Sequence, residues 1–333
     1  LVGASVVTLA LVALPTMLAK GYRPELATGS VAAAGTLGIV LPPAVMLFFL
    51  ASQFRTSIGG MFVATLIPGI VLVVLYISYY VIDGLRHPAA PEAHDESDDW
   101  TPRQWLGYMV RGLVLPAGLL SLVLGSIIFG WATPPQSGAV GAAGGLFLMF
   151  INGRLNWATF KDVASTTALM TAMVFFIIMA ATVFSYPFRY FEGDQVIAEA
   201  LRALPFGDWG TLIFVLGVIF VLGFFIDWIE ITVITLPLFV PLLATLDFSG
   251  HVGDPATTKI WMATLVALTL QTSFLTPPFG FALFFLKGAA PPEIQLIQIY
   301  RGAVPVIVAQ VAGIMLLMAA PILAIWLPGL IFG

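Results

Sequence analysis

The stretch Gly35-Thr36-Leu37-Gly38-Ile39-Val40-Leu41-Pro42-Pro43 lies inside an apolar run from Leu26 to Ala51. A helix crosses the ~30 Å hydrocarbon core of a bilayer with about 20 residues, so this run is long enough to span one. A proline pair interrupts a helix because proline has no backbone N–H and disfavours helical geometry in the residue before it. Carbonyl groups freed in lipid cost on the order of several kcal/mol each unless protein, water or a ligand satisfies them. The stretch therefore predicts two half-helices and an unwound segment between them, which we call joint 1.

The same pattern occurs again in Leu270-Gln271-Thr272-Ser273-Phe274-Leu275-Thr276-Pro277-Pro278, inside the apolar run from Ile260 to Leu286. We call this segment joint 2. The offset between the two proline pairs is 235 residues, and it places Thr36 on Gln271 and Gly38 on Ser273. Proline kinks in two continuous helices are the alternative, but kinks do not explain why the polar residues before each pair also recur. Paired interrupted helices at corresponding places indicate the binding site of a secondary transporter.

The composition places the chain in a membrane. Hydrophobic residues make up 60%, charged residues 9%, and the mean hydropathy is +1.03, whereas soluble domains contain about 25% charged residues. The formal charge of -4 and the lack of any basic cluster argue against nucleic-acid binding. The absence of cysteine excludes disulfides and thiolate metal sites, and the three histidines all fall in polar segments. We expect no cofactor, and we expect helices before Leu1 because the chain begins without Met inside an apolar stretch.

The apolar runs divide the chain into three parts. Residues 1–83 are expected to be the end of a first repeat, with a hairpin arm that has its tip at Gly3-Ala4-Ser5, a broken helix and a membrane helix. Residues 84–112 are expected to form an acidic polar loop and a short interfacial helix. Residues 113–333 are expected to be the second repeat, with membrane helices, a second re-entrant hairpin at about 211–246, a broken helix at 258–286 and a final span from Gln295 to Leu327.

Two carboxylates interrupt the predicted second hairpin. Asp227 and Glu230 lie within Gly223–Thr232, in an otherwise apolar segment. Acidic side chains at membrane depth are costly and point to a functional site. The alternative is that they cap the N-terminus of a half-helix, where negative charge is favoured. Both interpretations can hold together.

Four motifs carry a family resemblance. They are GSVAAAGTLGIVLPP (Gly29 to Pro43), GWATPPQSGAVGA (Gly130 to Ala142), FFIDWIEITVITLPLFVP (Phe224 to Pro241) and LTLQTSFLTPPFGFALFFLKG (Leu268 to Gly288). Together they resemble the large membrane subunit of TRAP transporters, the tripartite ATP-independent periplasmic transporters, over the whole chain. The ATPTEA motif usual in that family reads Ala132-Thr133-Pro134-Pro135-Gln136-Ser137 here, without its glutamate.

The resemblance implies an all-α integral membrane protein of the bacterial inner membrane. It implies an inverted-repeat, elevator-type transporter with two re-entrant hairpins and two broken helices, and not an enzyme. The implied activity is sodium-coupled import of a small organic acid, which a periplasmic substrate-binding protein delivers and a small membrane subunit accompanies. A proton-coupled carrier with Asp227 or Glu230 as the relay, and a structural subunit without transport activity, remain open.

The joints supply the candidate ligands. Sodium needs several oxygen atoms, which unwound carbonyls and hydroxyls at broken helices can provide. The predicted sodium-binding residues are Gly3, Ser5, Thr36, Gly38, Asp227, Gln271, Thr272, Ser273 and Thr276. The predicted substrate-binding residues are Thr36, Pro42, Glu230, Thr232, Thr276 and Pro277. For each hydroxyl, the alternative is backbone capping of a half-helix.

Overall fold

The computed structural model describes residues 2–87, 101–193, 195, 196, 199, 207–278 and 280–332. These residues form helices joined by short turns, and no strand occurs among them. By their contacts they fall into two compact units: Leu1–Ala93 with Ala181–Gly333, and His94–Ala180. This division reflects packing, so the predicted division into two repeats stays a prediction.

Thirteen helices are considered below, five of which (α1, α4, α5, α7 and α12) are long and apolar enough to cross a membrane. In chain order they are α1 Val2–Ala19, α2 Pro24–Leu37, α3 Val45–Phe54, α4 Ile58–Arg86, α5 Pro102–Ile128, α6 Pro134–Ile151, α7 Trp157–Tyr190, α8 Gly207–Leu222, α9 Trp228–Leu243, α10 Pro255–Ser273, α11 Phe281–Ala289, α12 Leu296–Ala319 and α13 Ile322–Phe332. A π-helical segment occurs within α5 at Val110–Val114 and within α9 at Ile231–Thr235.

Both proline-containing runs are broken. Helix α2 ends at Leu37 and α3 begins at Val45, while α10 ends at Ser273 and α11 begins at Phe281. Each proline pair is joined by a cis peptide bond. The backbone between each pair of half-helices is non-helical over several residues, so the prediction of unwound joints is confirmed and continuous kinked helices are excluded.

Helices α2 and α12 cross at a pair of glycines. A Cβ atom added to Gly302 would overlap the carbonyl oxygen of Glu25 and lie 3.0 Å from the backbone nitrogen of Gly29. A Cβ atom added to Gly29 would overlap the carbonyl group of Gly302. Small residues let helix backbones approach closely where lipid provides no hydrophobic drive between helices. The same helix α12 contacts α4, where Gly313 lies against Leu72.

Besides contacts with helices that are near in sequence, such as α1 with α2 and α10 with α12, each broken helix contacts helices from the other end of the chain. Helix α1 contacts α11, and α9 contacts α3. Likewise α2 contacts α12, and α10 contacts α4. Helices from both ends of the chain therefore contact the half-helices that flank each joint.

The final span differs from the sequence prediction. A single span from Gln295 to Leu327 is wrong, because α12 ends at Ala319 and α13 begins at Ile322. Pro321 has no N–H to continue α12, and Ala320 before it leaves the helical region with φ -130° and ψ 79°. The Trp261 indole N–H donates to the carbonyl of Leu317 at 2.9 Å, which satisfies one of the carbonyl groups near the end of α12.

The segment at 84–112 also differs from the sequence prediction. Its interfacial helix is not a separate element, because α5 runs continuously from Pro102 to Ile128 through the π-helical segment. The side chain of Gln104 accepts from the backbone N–H of Thr101 at 2.7 Å and closes a capping box at the start of the helix. The acidic loop itself and Trp100 lie within 88–100, outside the described residues.

We expect Gly302→Ala to lower the free energy of unfolding by about 1–3 kcal/mol, because the added methyl group overlaps the backbone of α2. The matched control is Gly217→Ala in α8, where a Cβ atom meets nothing within 4 Å. Alanine is the better helix former, so this control should be neutral or slightly stabilising. Thermal and denaturant unfolding of both variants in detergent measures the difference, and equal stability would contradict the tight glycine crossing.

Candidate functional site

Joint 1 follows the buried last turn of α2. The Thr36 hydroxyl donates to the carbonyl of Ala32 at 3.0 Å. This bond is the backbone capping that we gave as the alternative to sodium binding. Gly38 ends the helix with helical backbone angles and is exposed, and a Cβ atom there would meet nothing within 4 Å. Pro42 is half-buried at the far side of the turn. The Thr36 hydroxyl proton is used in this hydrogen bond, and the lone pairs of its oxygen stay free to accept from a donor or a cation.

Joint 2 follows the last turn of α10 and is richer in polar groups. The hydroxyl groups of Thr272, Ser273 and Thr276 donate to carbonyls of their own chain segment at 2.8, 2.7 and 2.9 Å, respectively. Thr272 and Ser273 are fully buried, whereas Thr276 and Pro277 are half-buried. All three hydroxyls therefore satisfy helix carbonyls and still present oxygen lone pairs, so they can accept from a donor or a cation.

Gln271 is the exception in joint 2. Its side chain is fully buried, and neither its amide oxygen nor its amide nitrogen has a hydrogen-bond partner. A buried polar group without a partner costs about 1–3 kcal/mol, so such a group in a native protein calls for an explanation. The amide offers both an acceptor and a donor to whatever binds there.

The predicted second hairpin has its break between Leu222 and Trp228. Asp227 is the N-cap of α9, and its carboxylate accepts from the backbone N–H of Trp228 at 2.9 Å. The capping interpretation is thus confirmed for Asp227. The Thr232 hydroxyl is buried and donates to the carbonyl of Trp228 at 2.6 Å. Glu230 is half-buried, and its Oε2 atom is buried without a hydrogen-bond partner.

A glycine that sequence reasoning missed connects this hairpin to joint 2. A Cβ atom added to Gly223 would overlap the Ser273 hydroxyl oxygen and lie 2.5 Å from the Ser273 Cβ atom. Only glycine allows the end of α8 to approach the last turn of α10 this closely. The signal in the sequence was a glycine directly before the acidic segment.

The N-terminal candidates lie differently from the prediction. The non-helical tip expected at Gly3-Ala4-Ser5 is wrong, because α1 already runs from Val2. Gly3 is buried against the ring of Phe285 in α11, and Ser5 is exposed on α1. Val6 lies against Gly35, where an added Cβ atom would be 3.0 Å from the Val6 Cα atom. Helix α1 therefore borders joint 1 and reaches the second half of the other broken helix.

Aromatic contacts complete the crossed arrangement. The ring centroids of Trp228, at the start of α9, and Phe49, in α3, are 5.9 Å apart in an edge-on geometry.

Among the described residues, no group of three or more histidine, aspartate or glutamate side chains could hold a metal ion.

The chain is similar in sequence to known proteins over most of its length. Residues 2–323 match the profile of the family "Tripartite ATP-independent periplasmic transporter, DctM component". The chain is 26% identical over 328 residues to the C4-dicarboxylate TRAP transporter large permease protein DctM of Pseudomonas aeruginosa, covering 98% of this chain and 72% of that protein. It is also 26% identical over 322 residues to the ectoine/5-hydroxyectoine TRAP transporter large permease protein UehC of Ruegeria pomeroyi, covering 96% and 71%.

A third relative transports a different substrate. The sialic acid TRAP transporter large permease protein SiaM of Vibrio cholerae is 24% identical over 315 residues, covering 94% of this chain and 69% of that protein. The family match extends over nearly the whole chain, and the long apolar helices fit a protein that crosses the bacterial inner membrane several times. The chain belongs to the DctM family, the large permease subunits of TRAP transporters, which are transport proteins and not enzymes.

Proposed function

We propose that this protein carries out sodium-coupled secondary import of a small organic acid. The observation that carries the proposal is the last turn of α10, where a broken helix presents Gln271 with an unpartnered buried amide beside three hydroxyl groups. A structural subunit without its own site would have no need to break two helices and bury polar groups at the breaks. The relatives' names, which include C4-dicarboxylates, ectoine and sialic acid, support an organic acid as the substrate class.

Sodium is bound by neutral oxygens in this proposal. The hydroxyl protons at both joints are engaged by helix carbonyls, which leaves the oxygen lone pairs for the ion. Neutral ligands hold a monovalent cation weakly enough to release it, as transport requires, and Asp227 supplies negative charge nearby. The sodium ligands are drawn from Gly3, Ser5, Thr36, Gly38, Asp227, Gln271, Thr272, Ser273 and Thr276.

The substrate binds between the hairpins and the joints. The N-termini of half-helices there favour its negative charge. The residues proposed to contact it are Thr36, Pro42, Glu230, Thr232, Thr276 and Pro277. The crossed contacts of α1 with α11 and of α9 with α3 support two interlocking inverted repeats, whose hairpins and broken helices move together as an elevator.

The partners follow from the same family. A periplasmic substrate-binding protein delivers the substrate, and a small membrane subunit accompanies the large one. The relatives are components of tripartite transporters, which supports partners of this kind.

A proton-coupled carrier is the second candidate, and the buried unpartnered Oε2 atom of Glu230 favours it. A carboxyl group at this position could carry a proton across the membrane in place of sodium. The two candidates differ in the ion whose gradient drives uptake.

Sodium coupling is tested in proteoliposomes that contain the complete transporter. We expect uptake under an inward sodium gradient at equal pH on both sides, because the ligands at the joints are mainly neutral oxygens. Uptake driven equally well by a pH gradient in sodium-free buffer would favour the proton carrier instead.

The hydroxyls of joint 2 are tested by a sodium titration of uptake in Thr272→Ala and Ser273→Ala. If one ion–oxygen contact worth ~1.4 kcal/mol is lost, the sodium concentration for half-maximal uptake rises about tenfold. Thr269→Ala is the matched control, because its buried hydroxyl donates to the Leu265 carbonyl at 2.8 Å one turn earlier in α10. The control should lower stability only. Unchanged midpoints in both joint variants would mean that these hydroxyls serve only as helix caps.

The role of Gln271 is tested with Gln271→Leu in sodium-free buffer. Removing an unpartnered buried amide should raise the free energy of unfolding by about 1–3 kcal/mol. The control is Gln310→Leu in α12, whose buried amide faces the Tyr76 hydroxyl and lies away from the joints along the chain. We expect Gln271→Leu to be more stable in sodium-free buffer, and only this variant to lose part of the stabilisation by added sodium. An equal sodium response in the two variants would remove Gln271 from the ion site.

A further inference from the structure

An open cavity of about 470 Å³ lies between the ends of α3 and α9 and the start of α10. Its lining includes polar side chains from two distant parts of the chain, which are Ser52, Gln53 and Arg55 at the end of α3 and Lys259 in α10. Apolar residues of α9 also line it, among them Pro237 and Val240. The cavity therefore combines two cationic groups with an apolar surface.

The two cationic side chains have no partner in the part of the chain that the structure describes. Neither the guanidinium group of Arg55 nor the ammonium group of Lys259 forms a hydrogen bond or an ion pair there, and no carboxylate lines the cavity. Lys259 also lines a smaller neighbouring cavity with Asp247, but the Asp247 carboxylate accepts from the backbone N–H of Ser249 at 2.9 Å and makes no ion pair with the lysine. Two like charges that line one cavity repel each other until an anion binds there.

Arg55 has a backbone conformation that suits glycine better. Its φ of 53° and ψ of 45° are left-handed, and its N–H donates to the carbonyls of Ala51 and Ser52 at the end of α3. Helices commonly end with glycine in this conformation, because a residue with a Cβ atom is disfavoured there. An arginine at this position indicates that its side chain has a purpose other than ending the helix.

The position of the cavity favours an anion that belongs to a lipid. Helices α3 and α9 are apolar, Arg55 directly follows α3, and Lys259 is the fifth residue of α10. Arginine and lysine near the ends of membrane helices extend towards the interface, and basic pockets between such helices bind lipid headgroups. The apolar residues of α9 can contact the first methylene groups of an acyl chain at the same time.

We propose that this cavity binds the phosphate group of a membrane lipid between Arg55 and Lys259. The planar guanidinium group can donate two parallel hydrogen bonds to phosphate oxygens, and the ammonium group adds a compact positive charge. The bound lipid joins α3 of the first broken helix to α10 of the second and so stabilises their packing. The proposal does not depend on which ion drives transport.

The test uses the full-length large subunit with its small partner subunit, purified in detergent and stripped of lipid. Three probes are titrated: dioleoylphosphatidylglycerol, dioleoylglycerol, which has the same chains without the phosphate, and inorganic phosphate. The rise of the unfolding temperature along each titration measures the affinity. We expect the phosphatidylglycerol to bind at least about tenfold more tightly than dioleoylglycerol, equivalent to ~1.4 kcal/mol.

Two kinds of variant separate lipid binding from folding. Arg55→Gly removes the guanidinium group and supplies the residue that suits the left-handed backbone, so the unfolding temperature without lipid should be unchanged or higher. The same variant should bind phosphatidylglycerol about tenfold more weakly. Lys259→Gln should also weaken binding, whereas Lys259→Arg should retain most of it. Arg86→Gln is the matched control, because Arg86 is exposed at the end of α4 and does not line the cavity.

Three results would each overturn the proposal. They are equal affinities for phosphatidylglycerol and dioleoylglycerol, wild-type affinity in both Arg55→Gly and Lys259→Gln, and an equal loss of affinity in Arg86→Gln, which would indicate an unspecific effect of charge. Inorganic phosphate that binds with the same dependence on Arg55 and Lys259, while phosphatidylglycerol does not bind, would support the phosphate site and reject the lipid as its source.

Discussion

The structure depends on one constraint: backbone polar groups freed inside a membrane must find partners other than lipid. Each of the two proline pairs removes N–H groups from a helix in an apolar run and leaves carbonyls without their usual donors. Turn hydrogen bonds satisfy part of this need, as when the N–H groups of Val40 and Leu41 donate to the carbonyl of Leu37. Helices from both ends of the chain pack against the half-helices on either side of the joints.

Close packing around the joints relies on glycine at a few places. Gly29 and Gly302 let α2 and α12 cross at backbone contact, and Gly223 lets the end of α8 meet Ser273. Apolar helices gain little from each other by the hydrophobic effect in lipid, so close approach and dispersion contacts provide the specificity. The crossed pairing of α1 with α11 and α9 with α3 then binds the two halves of the chain together.

Polar groups at the joints divide into two kinds. The hydroxyls of Thr36, Thr272 and Ser273 are bonded to helix carbonyls, so they stabilise the half-helices whether or not an ion is present. The amide of Gln271 and one oxygen of Glu230 have no partner in the protein. Groups of the first kind can be retained for stability alone, whereas those of the second kind lower stability unless a ligand meets them. In the proposed function, the transported ion or the substrate meets the groups of the second kind.

The membrane class and the two unwound joints could be predicted from the sequence, because composition and proline geometry need no distant contacts, whereas the N-cap at Asp227 was one of two interpretations that the sequence left open. The sequence prediction missed that Gly3 already lies within α1, and it missed the end of α12 at Ala319 although Pro321 marks that end. The contacts at Gly302 and Gly223, and the lack of a partner for the Gln271 amide and for the Oε2 atom of Glu230, became visible only in the tertiary structure. Whether a buried polar group is satisfied depends on residues far away in the chain, which no local pattern specifies.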